Sequence, residues 1–226
     1  SRITVSMDTL RPERFVKLTR LDSHRAVLAG IDAAIEAGFD NIKLDTVVIR
    51  GVNDDELSDL IDYGREHHLE VRFIEYMDVG GATQWSNEAV VSRREMLSTL
   101  SEKYGPITPV KKLNSAPADR FTFPDGTIFG IISSTTQPFC RSCDRSRLTA
   151  DGIWYLCLYA HSGTDLRKSL REGASIGDLQ DQITSVWKER VDRGAEMRLA
   201  EVQREPLIPV RRLREEPHLE MHTRGG

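Results

Sequence analysis

Asn41-Ile42-Lys43-Leu44-Asp45-Thr46-Val47-Val48-Ile49 is a nearly continuous apolar run apart from Lys43 and Asp45. Runs of this kind mark a buried strand of a parallel sheet. On both sides the period changes to that of a helix. Residues 23–37 place Val27, Ile31, Ala34 and Ile35 on one stripe, and Gly38 is the expected stop. Further back, residues 11–20 read as a short helical or turn segment, and Ile3-Thr4-Val5-Ser6-Met7 as a strand. Downstream, Gly51-Val52-Asn53-Asp54-Asp55-Glu56 runs into a helix, with carboxylates in the first turn where the dipole favours them. That helix carries Leu57, Leu60 and Ile61 and ends near His68; residues 70–76 are the next strand. Strand, helix, strand, helix, strand predicts βα units around a parallel sheet. Right-handed crossovers curve such a sheet into an open or barrel-like form. Chemistry then sits at the carboxyl ends of the strands, which places Ser6, Asp8, the end of the Lys43 strand, and Glu75 to Met77 near one rim.

Residues 77–91 form a polar, glycine-containing loop, and residues 92–104 a helix opened by a capping box, Ser92 with Glu95. After Gly105-Pro106 short strand-like pieces follow, at 107–112, 120–123 and 127–133, with Pro124-Asp125-Gly126 as a turn. A boundary is expected near residues 105–110. It divides the chain into 1–105, 106–202, and a mobile tail, 203–226, that is rich in Arg, Glu and Pro and ends Arg224-Gly225-Gly226. Residues 165–172 and 175–190 read as helices, the second with Leu179, Ile183, Val186 and Trp187 on one face.

All three cysteines lie in one stretch, Phe139-Cys140-Arg141-Ser142-Cys143-Asp144-Arg145-Ser146-Arg147-Leu148 followed by Cys157-Leu158. C-x2-C lets two thiolates turn toward one metal from a tight loop. Residues 147–150 and 153–156 are strand-like, and Asp151-Gly152 between them is a two-residue turn signal. The resulting hairpin returns Cys157 beside Cys143. Alternate residues of an extended segment share a face, so Cys143, Arg145 and Arg147 point the same way. Spacing alone leaves three readings open. One is a structural zinc with His161 as fourth ligand. Another is an iron–sulfur cluster with one iron left open, since four thiolates are usual. The third is a redox-active or simply buried set of thiols.

The 226 residues are enough for one large domain or two small ones. A net charge of −4 provides no global basic field for nucleic acid. Three cysteines, an odd and low number, argue against a disulfide scaffold. No apolar run approaches the roughly 20 residues of a membrane span, and neither a signal peptide nor a compartment other than the cytoplasm is expected. Residue 1 is serine and a strand begins almost at once, so the sequence is expected to be part of a longer protein.

Single charges have plain readings beside sharper ones. Lys43 and Asp45 share one face, either a strand end meeting solvent or an anion-binding lysine in a barrel mouth. Arg72 suits an ion pair with Glu70 or Glu75 as well as a ligand. Arg145 and Arg147, fixed among the cysteines, suit phosphate oxygens as bidentate forks, or balance charge beside an anionic thiolate site.

Several segments together resemble one family. Val5-Ser6-Met7-Asp8, Ile42 to Glu56, and Arg72-Phe73-Ile74-Glu75-Tyr76-Met77 resemble the barrel of the MoaA family, the GTP 3′,8-cyclases of molybdenum cofactor biosynthesis. The cysteine–arginine stretch is similar to that family's C-terminal cluster motif, and Gly225-Gly226 to its glycine-glycine end. The resemblance implies an α/β fold, the C-terminal part of a partial TIM-type radical S-adenosylmethionine (SAM) barrel followed by an α+β iron–sulfur subdomain. It implies a lyase in which one [4Fe–4S] cluster cleaves SAM to a 5′-deoxyadenosyl radical. That radical takes the hydrogen from C3′ of GTP, and the carbon radical attacks C8 of guanine. A second [4Fe–4S] cluster, held by Cys140, Cys143 and Cys157, presents its open iron to the guanine. Lys43, Arg72, Arg145, Ser146, Arg147, Gly225 and Gly226 are implied on the substrate, and Ser6, Asp45 and Met77 on SAM. A homodimer and a downstream cyclic pyranopterin monophosphate synthase are the implied protein partners, with no nucleic acid and no membrane.

The sequence also departs from the family. No cysteine precedes Cys140, so the family's C-x3-C-x2-C motif is expected upstream of Ser1 together with the first barrel strands. Asp45 stands where asparagine is usual, and Arg224 where an apolar residue precedes the glycines. The complete protein is expected to be the enzyme and this stretch alone to be inactive. The competing reading is a non-catalytic zinc or iron–sulfur module that binds nucleotide.

Overall fold

The computed structural model describes residues 2–79, 85–201, 204, 206–216 and 219–220. The chain forms two compact units, Ser1–Tyr76 with Asn87–Gln137, and Met77–Ser86 with Pro138–Gly226. Among the described residues no helix is long and apolar enough to cross a membrane.

The first unit begins β1 (Arg2–Ser6), α1 (Pro12–Thr19), α2 (His24–Glu36), β2 (Asn41–Val48), α3 (Leu57–Glu66) and β3 (Glu70–Glu75). It continues with α4 (Arg93–Tyr104), β4 (Thr108–Pro109), β5 (Asp119–Thr122) and β6 (Ile128–Ile132). The strand order is β1-β2-β3-β6-β5-β4. β1, β2, β3 and β6 are parallel neighbours, while β5 and β4 close the sheet antiparallel. The expected boundary at 105–110 therefore falls inside a continuous sheet. Register Arg72↔Gly130, Phe73↔Ile131 and Ile74↔Ile132 joins β6 to β3 across it.

β2 differs from the expectation of burial on both faces. Ile42, Leu44, Thr46 and Val48 are buried, while Lys43, Asp45 and Val47 stay half-exposed. The buried face joins Ile31, Leu57, Leu60, Ile61, Phe73, Met96 and Phe129 in one core, each such side chain contributing about 1.5–3 kcal/mol. α4 opens with the expected capping box, Ser92 and Glu95 bonding each other's backbone N–H.

The loop after β2 ties the strand ends together. The Asn53 amide donates to the carbonyls of Asp8 at 2.6 Å and Val47 at 2.8 Å and accepts from Ile49 N–H at 2.8 Å. The buried Glu56 carboxylate accepts from Thr9 Oγ1 at 2.6 Å and Leu10 N–H at 2.8 Å, and pairs with Arg14. At the end of β3, Glu75 accepts the N–H groups of Arg93, Thr135 and Thr136 at 2.7–3.0 Å. These polar knots fix the carboxyl ends of the strands.

The second unit holds a 3-10 turn, Cys140–Ser142, then β7 (Arg147–Leu148), β8 (Ile153–Tyr155), β9 (Thr164–Asp165) and α5 (Leu166–Arg171). It ends with α6 (Ile176–Lys188), α7 (Gly194–Leu199) and α8 (Val210–Glu215). β7, β8 and β9 make an antiparallel sheet. The hairpin forms, but its loop has three residues rather than two. Thr149 N–H bonds Ile153 O, and Gly152, at φ +85°, bonds back to Thr149 O, each at 3.0 Å. A turn followed by a left-handed residue is the usual three-residue solution. The expected mobile tail also differs, because Ile208, Leu213 and Leu219 pack together and α8 forms among them. Three apolar residues so spaced carry too little periodicity to be read in advance.

Candidate functional site

Cys143 N–H donates to Cys140 O at 3.2 Å, so the first two thiols leave one tight turn. The β7–β8 register, Arg147↔Tyr155, brings the chain back to Cys157. α7 is the meeting point. A Cβ added at its first residue, Gly194, would lie 3.1 Å from Cys157 Sγ and 2.4 Å from Tyr159 Cβ. The same helix packs against the Cys140–Ser142 turn. All three cysteines are half-buried free thiols. Among the described residues no three His, Cys, Asp or Glu side chains converge as on a single ion, and His161 is exposed.

Burial alternates along the next residues. Cys143, Arg145 and Arg147 are half-buried, while Asp144, Ser146 and Leu148 are exposed. Ser146 thus lies on the opposite face from the arginines. The Arg145 guanidinium sits 5.0 Å from the Phe139 ring centroid, and its Nε has no hydrogen-bond partner among the described residues. Burial disfavours the Cys143 thiolate, but the backbone N–H and guanidinium of Arg145, with that of Arg190, outweigh it. They hold the thiol below its ordinary pKa.

In the first unit, Ser6, Asp45, Arg72 and Gly130 stand side by side in one row across four parallel strands. Thr4, Lys43 and Glu70 form the row two residues nearer the strand starts. A Cβ at Gly130 would meet Arg72 Cγ and Ala118 Cβ, each at 3.2 Å, so the glycine leaves passage for the arginine stem. Arg72 Nε and Nη2 both reach Glu70 Oε1 at 2.8 Å, and Arg120 holds the other Glu70 oxygen at 3.0 Å. The ion pair with Glu70 is therefore present. Asp45 Oδ1 is buried without a hydrogen-bond partner among the described residues. Burial raises the Asp45 pKa against the opposing charges of Arg72 and Lys43, with Glu70 adding to the rise. Burial likewise raises Asp8, opposed by its bond from Val47 N–H at 2.8 Å.

Met77 is half-buried in the second unit. The next residue, Asp78, was not singled out by the sequence. It is buried and accepts from Arg204 Nε and Nη2, each at 2.9 Å, and from Arg198 Nε at 2.8 Å. Arg190 and Gly194 were missed too. No spacing rule links them to the cysteines, and only folding brings α6 and α7 there. Gly225 and Gly226 lie outside the described residues.

Residues 69–196 match the family model described as Molybdenum Cofactor Synthesis C. The chain is 60% identical over 225 residues to GTP 3′,8-cyclase 3 of Mycobacterium bovis, covering 100% of this chain and 60% of that protein. It is 57% identical over 225 residues to GTP 3′,8-cyclase 1 of Mycobacterium tuberculosis, covering 100% and 63%. It is 38% identical over 226 residues to GTP 3′,8-cyclase of Aquifex aeolicus, covering 100% and 64%. The chain thus spans about six-tenths of the length of these curated relatives.

Proposed function

We propose, from the premise that this chain belongs to the Molybdenum Cofactor Synthesis C family, that it serves a GTP 3′,8-cyclase. The reaction is conversion of GTP to (8S)-3′,8-cyclo-7,8-dihydroguanosine 5′-triphosphate, at the start of molybdenum cofactor biosynthesis. The observation that carries the reading is three free, half-buried thiols in one unit, Cys157 against Gly194 of α7 and Cys140 in the turn that packs on the same helix, with Arg145 and Arg147 on the half-buried side of the Cys143 strand. Relatives that align along the whole chain bear the cyclase name.

Thiolates of a [4Fe–4S] cluster bind separate irons, so three free thiols in one unit suit such a group without converging on one point. When bound, the cluster supplies an iron without a protein ligand for the guanine, and SAM supplies the radical. The chain's own residues bind, orient and exclude water. Arg145 and Arg147 grip the triphosphate as bidentate forks. The Phe139 ring beneath Arg145 fixes that guanidinium beforehand, which lessens the entropy lost on binding. In the parallel sheet, which this reading makes part of a radical SAM barrel, Lys43 and Arg72 offer cations to phosphate or ribose. Ser6 and Asp45, neighbours in the sheet, are assigned to SAM, as is Met77. Burial raises the Asp45 pKa against the charges of Arg72 and Lys43, at the position where the resemblance has asparagine. Gly225 and Gly226 complete the substrate contacts.

The test is metal content. Protein purified without oxygen is expected to be brown, to contain iron and acid-labile sulfide, and to bleach in air. Serine at Cys140, Cys143 or Cys157 should remove the colour, and His161→Ala should leave it. Stoichiometric zinc without labile sulfide, lost on His161→Ala, would overturn the reading.

A further inference from the structure

Arg190 stands just beyond the end of α6. Its N–H donates to Trp187 O at 3.2 Å, and its guanidinium lies 4.9 Å from the Trp187 ring centroid. Trp187 in turn stacks on Trp154 of β8, with centroids 6.2 Å apart and planes at 19°. Arg190 Nε is 3.5 Å from the Asp192 carboxylate, and the side chain is only 11% exposed. From this seat Nη2 reaches the Cys143 sulfur at 3.7 Å. The hairpin that returns Cys157 therefore also braces, through its tryptophan, a cation against the sulfur of Cys143.

An ion pair with Asp192 alone would explain a half-neutralised surface arginine. It does not require the guanidinium to be mostly withdrawn from solvent, stacked and turned onto a sulfur. Hydrogen bonds to ligand sulfurs and the local net charge are the two protein levers on the potential of an iron–sulfur cluster. Reduction adds negative charge spread over the sulfurs, so a fixed N–H donor and positive charge stabilise the reduced form more than the oxidised one.

We propose that Arg190 is a positioning residue that donates to the Cys143 sulfur and raises the reduction potential of the cluster on Cys140, Cys143 and Cys157. This rests on the iron–sulfur reading of the three cysteines. Asp192 sets how much of the arginine's charge is felt, so the pair tunes the cluster in opposite directions.

The experiment is a redox titration of the reconstituted protein, followed by electron paramagnetic resonance. The chain's three cysteines allow one such cluster, so the signal belongs to it. Arg190→Met is expected to lower the reduced-to-oxidised ratio at a fixed potential about tenfold, equal to about 59 mV for one electron. Arg190→Lys keeps the charge but not the forked geometry, and should recover part of that loss. Asp192→Asn should move the potential the other way, upward. Iron and sulfide content equal to the parent's would show that each variant carries its cluster. Should Arg190→Met fail to fold, Asp192→Asn decides alone: a potential unchanged or lowered overturns the inference. Unchanged potential in a fully loaded Arg190→Met overturns it as well, while leaving the cluster in place. A parent that binds no iron and sulfide would instead overturn the reading on which the inference stands.

Discussion

At the scale of single residues, Arg145 and Arg147 carry the largest expected effect on substrate. A charge-assisted arginine–phosphate bond contributes roughly 1.5–3 kcal/mol. Arg145→Ala or Arg147→Ala should therefore weaken GTP binding roughly ten- to a hundredfold, measured by equilibrium titration. Binding equal to the parent's in both variants would leave these side chains only to balance charge beside the thiolates. Their common side was legible beforehand because it follows from the period of an extended chain: Cys143, Arg145 and Arg147 alternate with exposed neighbours. Arg190 was not legible, because its contact with Cys143 spans 47 positions and depends on how Trp154 and Trp187 stack. Gly194 was equally silent. Its need for a bare Cα comes from Tyr159 and Cys157 pressing on it, and nothing local announces that.

At the scale of elements, what was read correctly rests on local rules. The capping box of α4, the helices α5 and α6, and the β7–β8 hairpin each depend on residues within a few positions. The pairing of β6 with β3 joins residues far apart in sequence and was hidden, so the change of pattern near 105–110 read as a boundary. The Asp78 clamp is of the same hidden kind, and it gives a test. Asp78 joins the segment after β3 to Arg198 of α7 and to Arg204 beyond it. Burial raises its pKa, but the two guanidiniums outweigh burial and hold it below the usual carboxylate range. Its folded pKa is thus depressed. Its stabilisation is complete above the unfolded value, about 3.9, and is lost as pH falls through the lower folded value. Asp78→Asn leaves Arg204 buried with its charge uncompensated, at a cost of about 3–5 kcal/mol. Thermal melts at neutral pH should show that loss, and amide exchange should place it first in α7. The difference between variant and parent should shrink in acid. A gap that persists unchanged below the carboxylate range would mean that Asp78 acts by packing rather than by charge.

At the scale of the whole molecule, the cysteine count bounds what this chain does by itself. Reductive cleavage of SAM needs a cluster that chelates the methionine of SAM, and such a cluster takes its own three thiolates. The chain has three cysteines, and all of them lie between residues 140 and 157. None is left for a second cluster. The parallel sheet also ends at β1, whose outer side has no strand partner among the described residues, and an edge of that kind invites association. The 226-residue chain, reconstituted with iron and sulfide and checked for a monodisperse state, is therefore expected to release no 5′-deoxyadenosine from SAM plus reductant, while still binding GTP. A longer form in which a C-x3-C-x2-C segment precedes Ser1 should produce 5′-deoxyadenosine and, with GTP present, the cyclised triphosphate. The two measurements separate the thiolates that hold SAM from those that face substrate. Steady 5′-deoxyadenosine production by the 226 residues alone would mean that Cys140, Cys143 and Cys157 hold the SAM-cleaving cluster. Arg145 and Arg147 would then flank SAM rather than the triphosphate.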